Sequence, residues 1–247
     1  MSARLSPRIW AIIPAAGKGS RMRADIPKQY LQLLGKTVLE HTLERFSSHP
    51  RINGVMVAIS ADDEWWPALA SRITMSSAVR NTLGGAERCH SVLNALLALS
   101  HECEAQDWVM VHDAARPCLR AVDIDLLLDS LQDSACGGIL GVPVRDTLKR
   151  CQPNGTIEAT VERAYLWHAL TPQMFRYGLL RSALTQAIAQ GAVVTDEAQA
   201  IEGLGEIPRV IEGHGDNLKI TRPEDLAMAA LILRVQQGSG GGESVCE

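Results

Sequence analysis

The chain has 247 residues, 46% of them hydrophobic and 21% charged, with a formal net charge of −4 at pH 7. These are ordinary proportions for a globular protein large enough to bury a substantial core. A net negative charge without a long basic run argues against a nucleic-acid binder, and no stretch reaches the roughly 18 apolar residues of a membrane span.

The N-terminal MSARLSPR lacks the apolar core of a secretory signal. Cys89, Cys103, Cys118, Cys136, Cys151 and Cys246 form no C-x-x-C pair, so no zinc or redox motif is visible. Reduced thiols and a cytoplasmic location are the expectation.

The first element is an apolar run from Ile9, stopped by Pro14 and followed by Ala15, Ala16, Gly17 and Gly19. A buried strand feeding a loop without bulky side chains exposes backbone N–H groups, which suits phosphate. Lys18, Arg21, Arg23 and Lys28 add cations there, so a nucleotide triphosphate loop is predicted. It is not the dinucleotide fingerprint, because Met22 stands where the third glycine belongs. Nor does Gly35-Lys36-Thr37 complete a P-loop, because Tyr30 occupies that pattern's first position. Thr37 instead reads as a helix N-cap, boxed with Glu40, for a helix over Val38 to Ser48.

Gly54 to Ser60 reads as a second buried strand, Asp62 to Glu64 as the start of a short helix, and Val79 to Thr82 as a strand. Gly84-Gly85 then precedes a helix over Ser91 to Ser100; two glycines let backbone lie close to a flat ligand, or simply make a tight turn. Trp108 to His112 is a strand, Ile124 to Leu131 a helix and Gly138 to Val142 a strand. Asp113, at the end of a strand and beside Arg116, suits Mg²⁺ or a sugar hydroxyl, or else an Asp–Arg pair that stabilises a loop. His112 has no nucleophile placed beside it and reads as structural. Strands alternating with helices predict a mostly parallel sheet covered on both faces.

After Val142 the pattern becomes polar alternation around Pro153-Asn154-Gly155, a hairpin signal. It predicts a two-stranded arm, residues 143–165, packing on a second subunit, with Thr147 and Arg163 together at its base. Leu170 to Gln173 reads as a polar insertion, Phe175 to Gln190 as a helix ended by Gly191, and Thr195-Asp196-Glu197 as a helix cap. Arg209 to Glu212 and Lys219-Ile220 look strand-like, and Asp216 to Lys219 is another polar insertion. Thr221 to Glu224 reads as a capping box for a last helix to about Gln236. The expected organisation is one domain over 1–237 and a flexible Gly/Ser-led tail over 238–247.

The words PAAGKGSRM, PKQY, GGAERCHSV, VHDAARPC, PVRDTLKR, LWHALTPQ, TDEA and DNLKITRPEDL together resemble the 2-C-methyl-D-erythritol 4-phosphate cytidylyltransferases of non-mevalonate isoprenoid synthesis. The resemblance implies a Rossmann-like nucleotidyltransferase, an α/β fold with a twisted, mostly parallel sheet flanked by helices, whose projecting β-arm builds a homodimer. It implies transfer of CMP from CTP to the sugar-alcohol phosphate with Mg²⁺. It assigns CTP to Pro14, Ala15, Ala16, Gly17 and Gly19, and its phosphates to Arg21 and Lys28. Gly85 and Ser91 match base contacts, and Asp113 matches a residue near ribose, metal and substrate. Arg116, Thr147, Arg163, Thr171, Thr195, Asp216 and Lys219 match the substrate side, with Lys219 also reaching the α-phosphate. Ala86 departs from members that carry Asp there, so any base contact at Ala86 runs through its backbone. The alternatives are a ribitol 5-phosphate cytidylyltransferase, a sibling with similar loops, and a non-catalytic nucleotide sensor.

Overall fold

A computed structural model describes residues 6–17, 26–73 and 79–238. In chain order the elements are β1 (Ile9–Pro14), a 3₁₀ turn (Lys28–Tyr30), β2 (Gln32–Leu33), β3 (Lys36–Thr37), α1 (Val38–Ser47), β4 (Gly54–Ile59), α2 (Trp66–Arg72), β5 (Val79–Leu83) and α3 (Arg88–Ala98). There follow β6 (Trp108–Val111), α4 (Ala121–Leu131), β7 (Gly137–Pro143), β8 (Leu148–Cys151), β9 (Ile157–Val161), β10 (Trp167–Arg176), α5 (Tyr177–Ala189), α6 (Glu197–Glu202), β11 (Arg209–Glu212) and α7 (Pro223–Gly238).

Seven strands form one sheet in the order β11-β7-β10-β6-β1-β4-β5. All neighbours are parallel except β10, which runs antiparallel between β6 and β7. The central strand β1 alternates its side chains as a pleated strand must. Ala11 and Ile13 meet Leu39, Leu43 and Phe46 of α1 and Leu127 of α4 on one face. Trp10 and Ile12 meet Val92 and Leu96 of α3 and Leu180 and Leu184 of α5 on the other. Both faces of the sheet are therefore buried under helices, which explains the near-continuous apolar runs of its strands. A third cluster seats Ala229 and Leu233 of α7 against Val38, Cys118 and Ile220.

Local signals act as written in most places. The Thr37 hydroxyl accepts from Glu40 N–H at 3.1 Å while the Glu40 carboxylate accepts from Thr37 N–H at 2.6 Å, a complete capping box. Gly191 follows α5 with φ +64°. The arm is present: β8 and β9 pair antiparallel around a turn in which Gly155 has φ +85°.

Several expectations need correction. The segment Leu170 to Gln173 is not an insertion but the middle of β10, whose ladder to β7 skips from Ala169 to Gln173 around a cis Thr171–Pro172 peptide. Phe175 accordingly belongs to β10, and α5 starts at Tyr177. Helix α2 starts at Trp66, because Asp63 accepts from Trp65 N–H and Trp66 N–H instead of lying inside the helix. Lys219-Ile220 is a loop held by Ile220 N–H on the Ala115 carbonyl. At α7 it is Asp225, not Glu224, that accepts from Thr221 and Arg222 N–H. Gly238 still belongs to α7, and the remainder of the expected tail lies outside the described residues. Among the described residues, no helix is long and apolar enough to cross a membrane.

Candidate active site

The parallel strands β1, β5 and β6 end on one side of the sheet, and the loops leaving them line an open cleft. That is the place where open α/β sheets take ligands. Its wall from β1 is Pro14 to Gly17, a stretch pinned from behind: the buried Gln29 amide donates to the Ala15 carbonyl at 2.7 Å and to the Gly17 carbonyl at 3.2 Å. Lys28, beside it, lines the cleft and donates to the Ile220 carbonyl at 3.0 Å.

The wall from β5 is Gly85 to Arg88 with Ser91. A Cβ on Gly84 would sit 2.5 Å from the Ala16 methyl, so glycine there is what lets the two loops touch. The buried Ser91 hydroxyl donates to the Glu87 carbonyl at 3.1 Å and accepts from Gly85 N–H at 3.0 Å. Its proton and one lone pair are committed, which leaves acceptor capacity only.

The wall from β6 is Asp113 to Ala115. Asp113 is held from below by a buried chain. Its N–H donates to Thr171 Oγ1 at 3.2 Å, Thr171 Oγ1 lies 3.0 Å from His112 Nδ1, and His112 Nε2 lies 3.0 Å from the Arg116 carbonyl. A carbonyl only accepts, so Nε2 carries the proton and Nδ1 accepts from the Thr171 hydroxyl. Burial pushes His112 down to about 4, against the hydrogen bond to the Arg116 carbonyl. His112 is thus neutral and fully enclosed, a structural residue.

The Asp113 carboxylate faces three cations. Arg88 Nε reaches Oδ1 at 3.1 Å, while Arg116 Nε and Lys219 Nζ reach Oδ2 at 3.3 and 2.9 Å. Burial alone would raise this carboxyl; Arg88, Lys219 and Arg116 together hold it well below the usual carboxylate range. Arg88 also makes a bidentate pair with Glu197 at 2.6 and 3.0 Å. Burial works against the charge of Arg88, but Glu197 and Asp113 outweigh it and raise its affinity for the proton.

The cleft brings together Pro14, Ala15, Ala16, Gly17, Lys28, Gly85, Ser91, Asp113 and Lys219. Arg116 and Thr171 do not reach it; they are buried beneath Asp113, with Arg116 Nη1 on the Asn217 carbonyl at 2.7 Å. Thr195 is exposed at the start of α6, its hydroxyl on Gln199 at 2.9 Å. Asp216 is not brought to the cleft, since its carboxylate pairs with Arg120 at 2.6 Å and accepts from Gln236 at 3.2 Å. Thr147 and Arg163 are exposed on the arm, where Arg163 donates to the Arg145 carbonyl across the hairpin base. Gly19 and Arg21 lie outside the described residues.

Sequence reasoning missed Gln29, Arg88, Glu197 and Asn217. All four sat inside singled-out words without being given a role of their own at the site. Nothing local pairs Arg88 with Glu197, 109 positions away. The buried Asn217, whose amide donates to the Thr171 carbonyl at 2.7 Å, stood in a singled-out word, but nothing in it told that its side chain turns inward.

Residues 9–235 match the family model described as IspD: 2-C-methyl-D-erythritol 4-phosphate cytidylyltransferase. A protein of that name from Pseudomonas putida (strain W619) is 56% identical over 221 residues, 89% of this chain and 93% of the relative. A crystal structure of 4-diphosphocytidyl-2C-methyl-D-erythritol synthase matches with a TM-score of 0.80 and 38% identity, covering 92% of this chain and 100% of that one. The 2-C-methyl-D-erythritol 4-phosphate cytidylyltransferase of Francisella tularensis matches with a TM-score of 0.78 and 37% identity, covering 91% and 99%. The likeness runs through both sequence and fold and spans nearly the whole of each relative, and this chain belongs to the 2-C-methyl-D-erythritol 4-phosphate cytidylyltransferase family.

Proposed function

We propose that the cleft holds CTP and that the chain transfers its CMP to 2-C-methyl-D-erythritol 4-phosphate, giving 4-diphosphocytidyl-2-C-methyl-D-erythritol and pyrophosphate. The observation that carries this reading is the cluster of Lys28, Lys219 and Asp113 facing the small-residue loop at the ends of β1 and β6. A phosphate monoester attacks the α-phosphorus, and the α–β bridging oxygen leaves with pyrophosphate. The nucleophile is already close to a dianion at neutral pH, its second pKa being about 6. It needs no general base, which accords with His112 being buried and neutral. Lys28 neutralises charge in the transition state, as does Arg21 in the assignment from family likeness. Lys219, oriented by Asp113, holds the attacking phosphate and the α-phosphate in line.

Ser91 reads the base. With only acceptor capacity left, its hydroxyl favours the exocyclic amine of cytosine over the carbonyl oxygen of uracil. Arg116 and Thr171 are positioning residues for Asp113, and Asp216 positions the loop before Lys219 through Arg120. Thr195 supplies an exposed hydroxyl to the substrate side. Thr147 and Arg163 line no part of their own chain's cleft. We assign them to the site of a second copy, reached by the 143–165 arm in a homodimer.

The residues fit a divalent cation. Asp113 Oδ1 takes one hydrogen bond, from Arg88, and keeps lone-pair capacity for a hard ion. Mg²⁺, held there and chiefly by the nucleotide phosphates, would neutralise the triphosphate. The test is incubation of purified protein with CTP, Mg²⁺ and either 2-C-methyl-D-erythritol 4-phosphate or ribitol 5-phosphate. Pyrophosphate release is expected with the first. Release with ribitol 5-phosphate alone, or CTP binding without turnover, overturns the assignment.

A further inference from the structure

The start of α3 carries three donor groups that the proposed reaction does not use. Glu87, Cys89 and His90 place a carboxylate oxygen, a thiol sulfur and an imidazole nitrogen within 4.8 Å of one another. Cys89 Sγ lies 3.7 Å from His90 Nδ1 and 3.9 Å from Glu87 Oε2. Zinc–sulfur bonds of about 2.3 Å and zinc–nitrogen or zinc–oxygen bonds of about 2.1 Å, at tetrahedral angles, separate such donors by about 3.6 Å. Two of the three edges therefore already have nearly the length a tetrahedral ion requires. The sequence conceals this, because the donors sit at i, i+2 and i+3 and form none of the usual cysteine-pair spacings.

The surroundings are compatible. The charge of the intervening Arg88 is matched by Glu197 and Asp113. Cys89 is buried, His90 half-buried and Glu87 exposed, which gives an approach from solvent and closed protein behind. A helix N-terminus favours the thiolate that a metal needs. A thiolate sulfur and an imidazole nitrogen are softer donors than the oxygens Mg²⁺ requires, which selects a soft cation over Mg²⁺. Glu87 also lines the cleft, and a Cβ on Gly85 would lie 2.4 Å from His90 Cβ. An ion here would sit directly behind the wall of the nucleotide cleft.

We propose that Glu87, Cys89 and His90 form a three-donor site for a soft divalent cation of the Zn²⁺ class, separate from the Mg²⁺ assigned to the phosphates. The test uses the full-length chain, stripped of metal and held in excess Mg²⁺, titrated with Co²⁺ as a coloured stand-in for Zn²⁺. A thiolate-to-cobalt absorption band in the near ultraviolet is expected to saturate at one Co²⁺ per chain and to vanish on adding Zn²⁺. Cys89→Ser should abolish the band, with the thermal midpoint measured alongside. His90→Ala, at a half-exposed position, should weaken Co²⁺ binding by about tenfold or more. A band that does not saturate, that persists in Cys89→Ser, or that is unaffected by His90→Ala overturns the proposal.

Discussion

Single side chains divide by how they act. Lys28 touches the reacting phosphates in the proposed site, so Lys28→Ala should lower kcat by roughly 10²–10³, the usual loss of one charge-stabilising donor, in a protein that still folds. Near-normal turnover at saturating CTP would remove it from the chemistry. Ser91 acts on the base instead. Ser91→Ala should lower the preference for CTP over UTP in kcat/KM by about tenfold, the worth of one hydrogen bond; an unchanged preference would place base reading elsewhere. His112 acts on stability. Buried and held near 4 in the folded protein, it takes a proton in the unfolded chain at about 6.5. Between those values the unfolded state binds more protons, so stability falls as pH is lowered from about 6.5 to about 4, by about 3 kcal/mol from this group. Denaturant titrations across that window should show a shallower fall in His112→Gln. Gly85 and Asp113 were legible because each stands at a glycine pair or a strand end in its own word, and Lys28 because it is a cation that follows the small-residue loop. Arg116 and Thr171 were legible as types but not as places: sequence cannot tell a residue that faces the cleft from one buried beneath Asp113.

At the scale of elements, the strands with continuous apolar runs were readable, since burial on both faces leaves them no polar alternation. β10 was not, because Pro172 in mid-run argues against a central strand. The fold accommodates it by skipping ladder pairs from Ala169 to Gln173. That strand matters to the site: it delivers Thr171 under Asp113 and Gln173 to the start of α6, where its Nε2 donates to Asp196 at 2.9 Å. Its other end depends on Gly137, which has φ +131° and whose Cβ would lie 2.1 Å from the Met174 carbonyl. Gly137→Ala should therefore destabilise the protein by roughly 3 kcal/mol, through backbone strain and the lost β7–β10 contact. A denaturation midpoint close to wild type would show that the strands slide apart without cost.

For the whole molecule, the arm decides whether one chain makes a complete site. β8 and β9 leave the main sheet as a separate hairpin, with Ile157 exposed near its turn and Tyr165 and Trp167 exposed after its base. A symmetric dimer would cover that face reciprocally. If Lys28 comes from one chain and Arg163 from the other, a Lys28→Ala chain paired with an Arg163→Ala chain carries both defects in one site and neither in the other. Mixing the two inactive proteins equally, with subunit exchange confirmed by mass, should then restore about a quarter of wild-type activity; no recovery would place each site within one chain. The alternation of strands and helices made the parallel architecture legible, whereas a site shared between copies leaves no periodicity to read. The proposed chemistry itself is tested most directly by the fate of oxygen. 2-C-methyl-D-erythritol 4-phosphate labelled with ¹⁸O in its phosphate oxygens is converted with unlabelled CTP, and the products are read by ³¹P NMR. Direct attack on the α-phosphorus puts a labelled oxygen in the bridge of the new diphosphate and leaves pyrophosphate unlabelled. Release of CMP in place of pyrophosphate, or a bridge oxygen drawn from solvent water, would contradict it.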